Sequence, residues 1–150
     1  DLKSAQESGR NLLAEKYLRM MESTFPREYE LQKARLPEVS ERAARLAEEI
    51  CMEMIAQTAA LRERFPLVGG AGRPLYSSED RPGDTSVETY QRCELLTYSE
   101  QTLEKLHTQV FEMKERGESL ALAELENSVC HYGYENIRQA EDYLRAKQGG

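Results

Sequence analysis

Residues 37–66 read PEVSERAARLAEEICMEMIAQTAALRERFP, and the spacing of their apolar side chains decides the fold class. Val39, Ala43, Leu46, Ile50, Met54, Leu61 and Phe65 recur at intervals of three, four or seven. That is the period of a helix with one buried stripe; a half-buried strand would alternate every second residue. Proline stands at both ends, so the spacing predicts a helix over 37–64 that Pro66 stops.

The same period recurs on either side. Leu13, Tyr17, Met20, Met21 and Thr24 share one face of a segment running from about Ser4 to Thr24. Pro26 fits the first position of a short second helix that Pro37 ends. Further along, Leu103, Leu106, Val110 and Met113 form the stripe of a helix capped by Ser99 and stopped by Gly117. Leu122, Leu125, Val129 and Tyr132 mark another, closed by Gly133, and Ile137, Ala140 and Leu144 a last one. The composition agrees. Glu outnumbers Asp 23 to 4, and only 15 of the 150 residues are Val, Ile or Thr, which disfavours a sheet. These observations predict an all-α chain, a single domain of about six or seven helices over residues 1–150.

Several function classes are disfavoured. No apolar run approaches the roughly 18 residues of a membrane span. No basic stretch followed by an apolar run reads as a secretory signal. The net charge of -7, without a basic block, disfavours nucleic acid as a partner. Cys51, Cys93 and Cys130 are odd in number and widely spaced, which fits reduced thiols in a cytoplasmic protein. The sequence contains no GxSxG, no phosphate-loop signature and no HExxH, and it leaves any cofactor unknown. Glu104 and His107 have the Glu-x-x-His spacing of carboxylate-bridged metal bundles. Such sites need two of these pairs and the chain has one, so no metal site is expected.

One segment departs from the helical period. Residues 66–84, PLVGGAGRPLYSSEDRPGD, hold four of the nine glycines and three of the five prolines. A connection of this length inside a helical domain points to a functional loop. Its Arg73-Pro74-Leu75-Tyr76 core predicts an ordered segment packed over the helix that follows. Thr85 and Glu88 have capping-box spacing and are expected to start that helix, over 86–98.

Two helices carry carboxylates on faces that otherwise read as apolar. Glu94 lies among Val87, Tyr90 and Tyr98, and Glu126 lies within the arc of Leu122, Leu125 and Val129. Gln57 and Glu53 interrupt the stripe of the long helix in the same way. Polar groups converging in a helical core point to a small-molecule site at the 66–84 loop and helices 86–98 and 118–132. On this reading Glu94 and Glu126 are the candidate catalytic carboxylates. Arg73 balances them or meets an anionic ligand group within one buried network with Glu94. Ser77, Ser78, Asp80, Tyr90 and Tyr98 contribute hydrogen bonds to the ligand. The alternative is a non-catalytic interaction or scaffold domain, whose apolar surface pairs with a helical partner or with a second copy as a homo-oligomer.

The runs RPLYSSED (73–80), TSVETYQRCELLTYS (85–99) and ENSVCHYGY (126–134) resemble those of an uncharacterised bacterial family, a domain of unknown function, over about Leu13 to Leu144. The resemblance implies a bacterial, cytoplasmic protein. It carries over no substrate, cofactor or catalytic residue.

Overall fold

A computed structural model describes residues 10–69 and 73–149. Among these residues the chain forms seven α-helices: α1 Leu12–Thr24, α2 Pro26–Gln32, α3 Glu41–Arg64, α4 Val87–Leu95, α5 Glu100–Glu115, α6 Leu120–His131 and α7 Ile137–Gly149. Short 3-10 turns occupy Lys33–Arg35 and Ser77–Glu79. No strand occurs among the described residues, and the nearest approach is one antiparallel bridge between Arg81 and Asp84. The all-α expectation holds. Residues 4–9, the start of the segment expected from about Ser4, lie outside the described residues.

The chain divides into two compact units. One comprises residues 1–52 and 73–109, the other residues 53–72 and 110–150. In the first, α1 packs against α2 and α4. Asn11 caps α1 by accepting the Ala14 N–H at 3.1 Å, and Pro26 occupies the first turn of α2, where its missing N–H costs nothing. Ala43, Leu46, Ala47, Ile50 and Cys51 of α3 are buried, as are Cys93 and Leu95 of α4 and Leu103 of α5. The long helix starts at Glu41, four residues later than the proline suggested. Ser40 is the reason: its hydroxyl accepts the Ala43 N–H, which makes it the cap. Ser99 caps α5 as expected, accepting the Thr102 N–H at 3.2 Å.

In the second unit Met54, Ile55, Leu61 and Phe65 form a core with Val110, Ala121, Val129, Ile137 and Ala140 among its buried residues. Gly117 and Gly133 take positive φ, +76° and +96°, which a side chain would strain. At each, a helix ends in a back-bonded turn, with Glu118 donating to Met113 and Tyr134 to Val129. Glu141 is fully buried. Its two carboxylate oxygens accept the N–H groups of Leu67 and Val68 at 3.0 and 2.8 Å, just past the end of α3. Arg145 lies 3.9 Å from the same carboxylate.

Candidate functional site

The first turn of α4 is built jointly with the loop before it. An isolated helix leaves its first N–H groups without partners. Here the Val87 N–H donates to the Pro74 carbonyl at 2.9 Å and the Glu88 N–H to that of Leu75 at 3.0 Å. Thr89 donates its N–H to the Ser86 hydroxyl at 3.1 Å, so Ser86, not Thr85, is the cap. The Ser86 N–H donates in turn to Asp80 at 2.7 Å. A loop carboxylate thus takes the place that the expected capping box gave to Glu88. Released from that role, Glu88 accepts the Ser77 N–H at 3.0 Å and pairs with Arg92 at 2.6 Å. Arg92 also grips Glu48 of α3 at 2.7 Å. Leu75 is buried.

Asp80 also ties the loop to α1. One of its oxygens accepts the Ser23 hydroxyl at 2.6 Å and, in a very short bond, the Thr89 hydroxyl. Burial by itself would push this carboxyl up. The hydrogen bonds from Ser23, Thr89 and the Ser86 N–H outweigh it and hold the group below the ordinary carboxylate range. Asp80 is therefore a structural pin, with all of these bonds already committed within the chain. Ser77 gives its N–H to Glu88, and Ser78 is exposed.

Next to this anchored loop, Tyr90 meets two cations. The Lys16 ammonium donates to the Tyr90 hydroxyl at 2.8 Å, and the Arg73 guanidinium lies 4.5 Å from the Tyr90 ring centroid. Lys16 is buried, with only 8% of its surface exposed. The bond to Tyr90 raises its pKa, burial opposes that, and the negative charge of Glu94 adds to the rise. Glu94 is half-buried and acts here as a counter-charge to Lys16. Arg73 is exposed and donates to the Thr85 carbonyl at 3.5 Å. The expected buried network of Arg73 and Glu94 is thereby corrected. Tyr90 meets both Arg73 and Lys16, Lys16 feels the charge of Glu94, and the Arg73 end is exposed where the expectation had it buried.

A groove of about 800 Å³ opens along α1, the start of α2 and this loop. Tyr17, Met20, Met21 and Phe25 form an apolar wall, and Arg73, Asp84 and Glu28 bring charge to the lining. Tyr98 lies elsewhere in the same unit, in a hollow of about 280 Å³ beside Pro37 and Leu96. Glu126 belongs to the second unit and is exposed, which corrects its reading as a buried carboxylate. It sits on the outer half of α6, where only Ala121 and Val129 are buried. With Gln57, Arg64 and Ser119 it lines a separate groove of about 540 Å³. The polar interruption at Gln57 has a structural explanation: its carbonyl accepts the Ala121 N–H and the Ser119 hydroxyl, both at 3.1 Å. Its amide donates to Glu53, which also meets Lys114 at 2.9 Å.

The Glu104–His107 pair separates. Glu104 binds Arg42 at 2.7 Å and His107 meets Glu49 at 3.0 Å. Among the described residues no three His, Cys, Asp or Glu side chains converge as metal ligands would. Lys16, Ser23, Phe25 and Glu141 escaped the sequence reading. Lys16 and Glu141 carried a usable signal, since each interrupts an apolar stripe at helical spacing, Lys16 between Leu13 and Met20 and Glu141 between Ile137 and Leu144.

A family model described as a protein of unknown function, DUF4125, matches residues 1–142. The chain belongs to that family. The DUF4125 match takes in the anchored loop, α4 and α6, where the three runs quoted above lie. No curated protein and no solved structure matches the chain. No helix among the described residues of this DUF4125 chain is long and apolar enough to cross a membrane.

Proposed function

We propose that the protein binds a small molecule in the groove along α1, α2 and the 73–85 loop. The observation that carries this reading is a concavity of ligand-binding size whose apolar wall faces a guanidinium on an anchored loop. Tyr17 and Phe25 are half exposed there, at 50% and 44%, which is surface that a ligand would cover. Tyr90 and Lys16 stand behind Arg73 and hold its ring platform. Asp80, Ser77 and Ser86 keep the loop in place and are not themselves contacts to the ligand.

The protein acts in the cytoplasm of a bacterium on this reading. Supporting that setting, Cys51 and Cys93 are free, buried thiols. Burial pushes Cys51 up to about 11 and Cys93 up to about 12, so both stay protonated and unreactive. The scaffold alternative has its own support in Leu31, Tyr132 and Tyr143, which are 80%, 78% and 54% exposed. A fragment screen by amide-resolved NMR separates the two. Hits that shift residues 17–25 and 83–85 and weaken at least tenfold in Met21→Lys support the groove. A screen whose hits all map elsewhere overturns it.

A further inference from the structure

Arg92 gathers three side chains on the surface of the first unit. Glu48 and Met52 stand one turn apart on α3, and Glu88 stands one turn before Arg92 on α4. The guanidinium takes Glu48 at 2.7 and 3.0 Å and Glu88 at 2.6 Å, and its Nη2 lies 3.9 Å from the Met52 sulfur. A thioether is a weak acceptor, so the sulfur contact adds little as it stands. Met52 is also the methionine that this chain leaves most open. It is 49% exposed, whereas Met20 and Met54 are buried, at 7% and 3%, and Met21 and Met113 are half-buried. It lies outside the buried stripe of α3, so core packing does not account for a methionine there. Cys51 beside it is buried and stays protonated, which leaves the thioether as the oxidisable group that solvent reaches on this turn.

We propose that Met52 is a site of reversible oxidation by hydroperoxides and that Arg92 receives the sulfoxide. A lone pair on the sulfur attacks one oxygen of hydrogen peroxide, and the S–O bond forms as the O–O bond breaks. The proton of the transferred hydroxyl passes to the departing oxygen, which leaves as water. The sulfur gives up an electron pair and the peroxide is reduced. The product carries a polar oxygen where the thioether had only a weak acceptor, and methionine sulfoxide reductases return it to the thioether. The rotatable bonds of the side chain let that oxygen turn to the guanidinium beside it. The carboxylates engage Arg92 through Nε and Nη2, so the N–H groups on Nη1 can receive the oxygen while Glu48 and Glu88 keep their bonds. Oxidation here adds a charge-assisted bond between α3 and α4, whereas a sulfoxide at Met20 or Met54 would disrupt a core.

Hydrogen peroxide added to the intact chain tests this. Peptide mass spectrometry places each added oxygen, and side-chain NMR follows the Arg92 Nε–H. Met52 is expected to oxidise at least about fivefold faster than each of the other four methionines, a preference that urea should abolish. The Arg92 Nε–H signal should move in step with Met52 oxidation and stay in place in Met52→Leu treated in the same way. That variant changes one exposed side chain, and it undergoes the same oxidation at Cys130, so it isolates the effect of the sulfoxide. If Met21 or Met113 oxidises as fast as Met52, the site is not selective and the proposal falls. If Met52 oxidises first and the Arg92 signal does not move, the guanidinium does not receive the sulfoxide and the proposal falls as well.

Discussion

Asp80 and Glu141 are carboxylates that each hold a loop by accepting backbone N–H groups, and they differ in what else they hold. Asp80 answers two hydroxyls and one N–H. Asp80→Ala strands the buried Ser86 N–H and should cost about 1–3 kcal/mol in urea denaturation at neutral pH. The pH dependence follows from the direction of its shift. Its folded pKa lies below its unfolded value, so its contribution is complete above the ordinary aspartate range. That contribution is lost as pH falls below about 4 and through the depressed folded value. Asp80→Asn should therefore flatten the acid limb of the stability curve, and an unchanged limb would refute the assignment. Glu141→Ala leaves two partly buried N–H groups at Leu67 and Val68 without acceptors, a loss on the order of 3 kcal/mol. The same change should speed hydrogen exchange at those two amides before any other in the second unit. Arg73 contrasts with both. Because it is exposed, Arg73→Ala should change stability by less than about 1 kcal/mol. A thermal melt that falls by many degrees would place Arg73 in the framework and out of the ligand site.

At the scale of elements, the decisive unit is the loop together with the first turn of α4. α4 spans nine residues, too short to persist alone in water. The Pro74 and Leu75 carbonyls, the Ser86 hydroxyl and the Asp80 carboxylate supply what its N-terminus lacks, and the Leu75 side chain is itself buried. Leu75→Ala should cost about 2–5 kcal/mol through lost burial and the cavity left behind. It should also raise exchange at Ser86, Val87 and Glu88 together, since one strap protects all three. Exchange that rises at Val87 alone would mean that the strap is not one cooperative piece. This element was partly legible in advance. Proline, leucine and tyrosine in RPLYSSED mark a packing segment, and TSVE marks a helix start. Choosing Ser86 over Thr85 required knowing that Asp80 would occupy the Ser86 N–H, a contact between residues on either side of a turn that local spacing does not encode.

At the scale of the molecule, the boundary between the two units falls inside α3, after Met52, and inside α5, after Gln109. A continuous helix cannot unfold on one side of such a boundary without fraying on the other. Native-state hydrogen exchange should accordingly show two openings of different free energy, one for each unit, with the middle turns of α3 and α5 following the more stable. A single opening shared by every core amide would mean that the chain unfolds as one cooperative body.

What the sequence determined by itself was the all-α class, the stripes of α3, α5 and α7, the glycine stops at 117 and 133, and the burial of Leu75 within RPLY; in α6 Val129 is buried as expected, but Tyr132, expected on the same inward stripe, is exposed. These are local properties: a helical period, a proline or a positive-φ glycine acts through its near neighbours in the chain. Only the tertiary structure decided which interrupting polar residues are buried. Glu94, Glu126 and Glu141 each interrupt an apolar stripe in the same way, yet one is half-buried beside Lys16, one is exposed and one is fully enclosed. The difference lies in what distant segments bring to each face. The N–H groups at the end of α3 reach Glu141 from more than 70 residues away, and Lys16 reaches Tyr90 across a similar separation. A helical wheel specifies the direction in which a side chain leaves its helix, and the energy of burying a carboxylate depends on the donors that another part of the chain places in that direction.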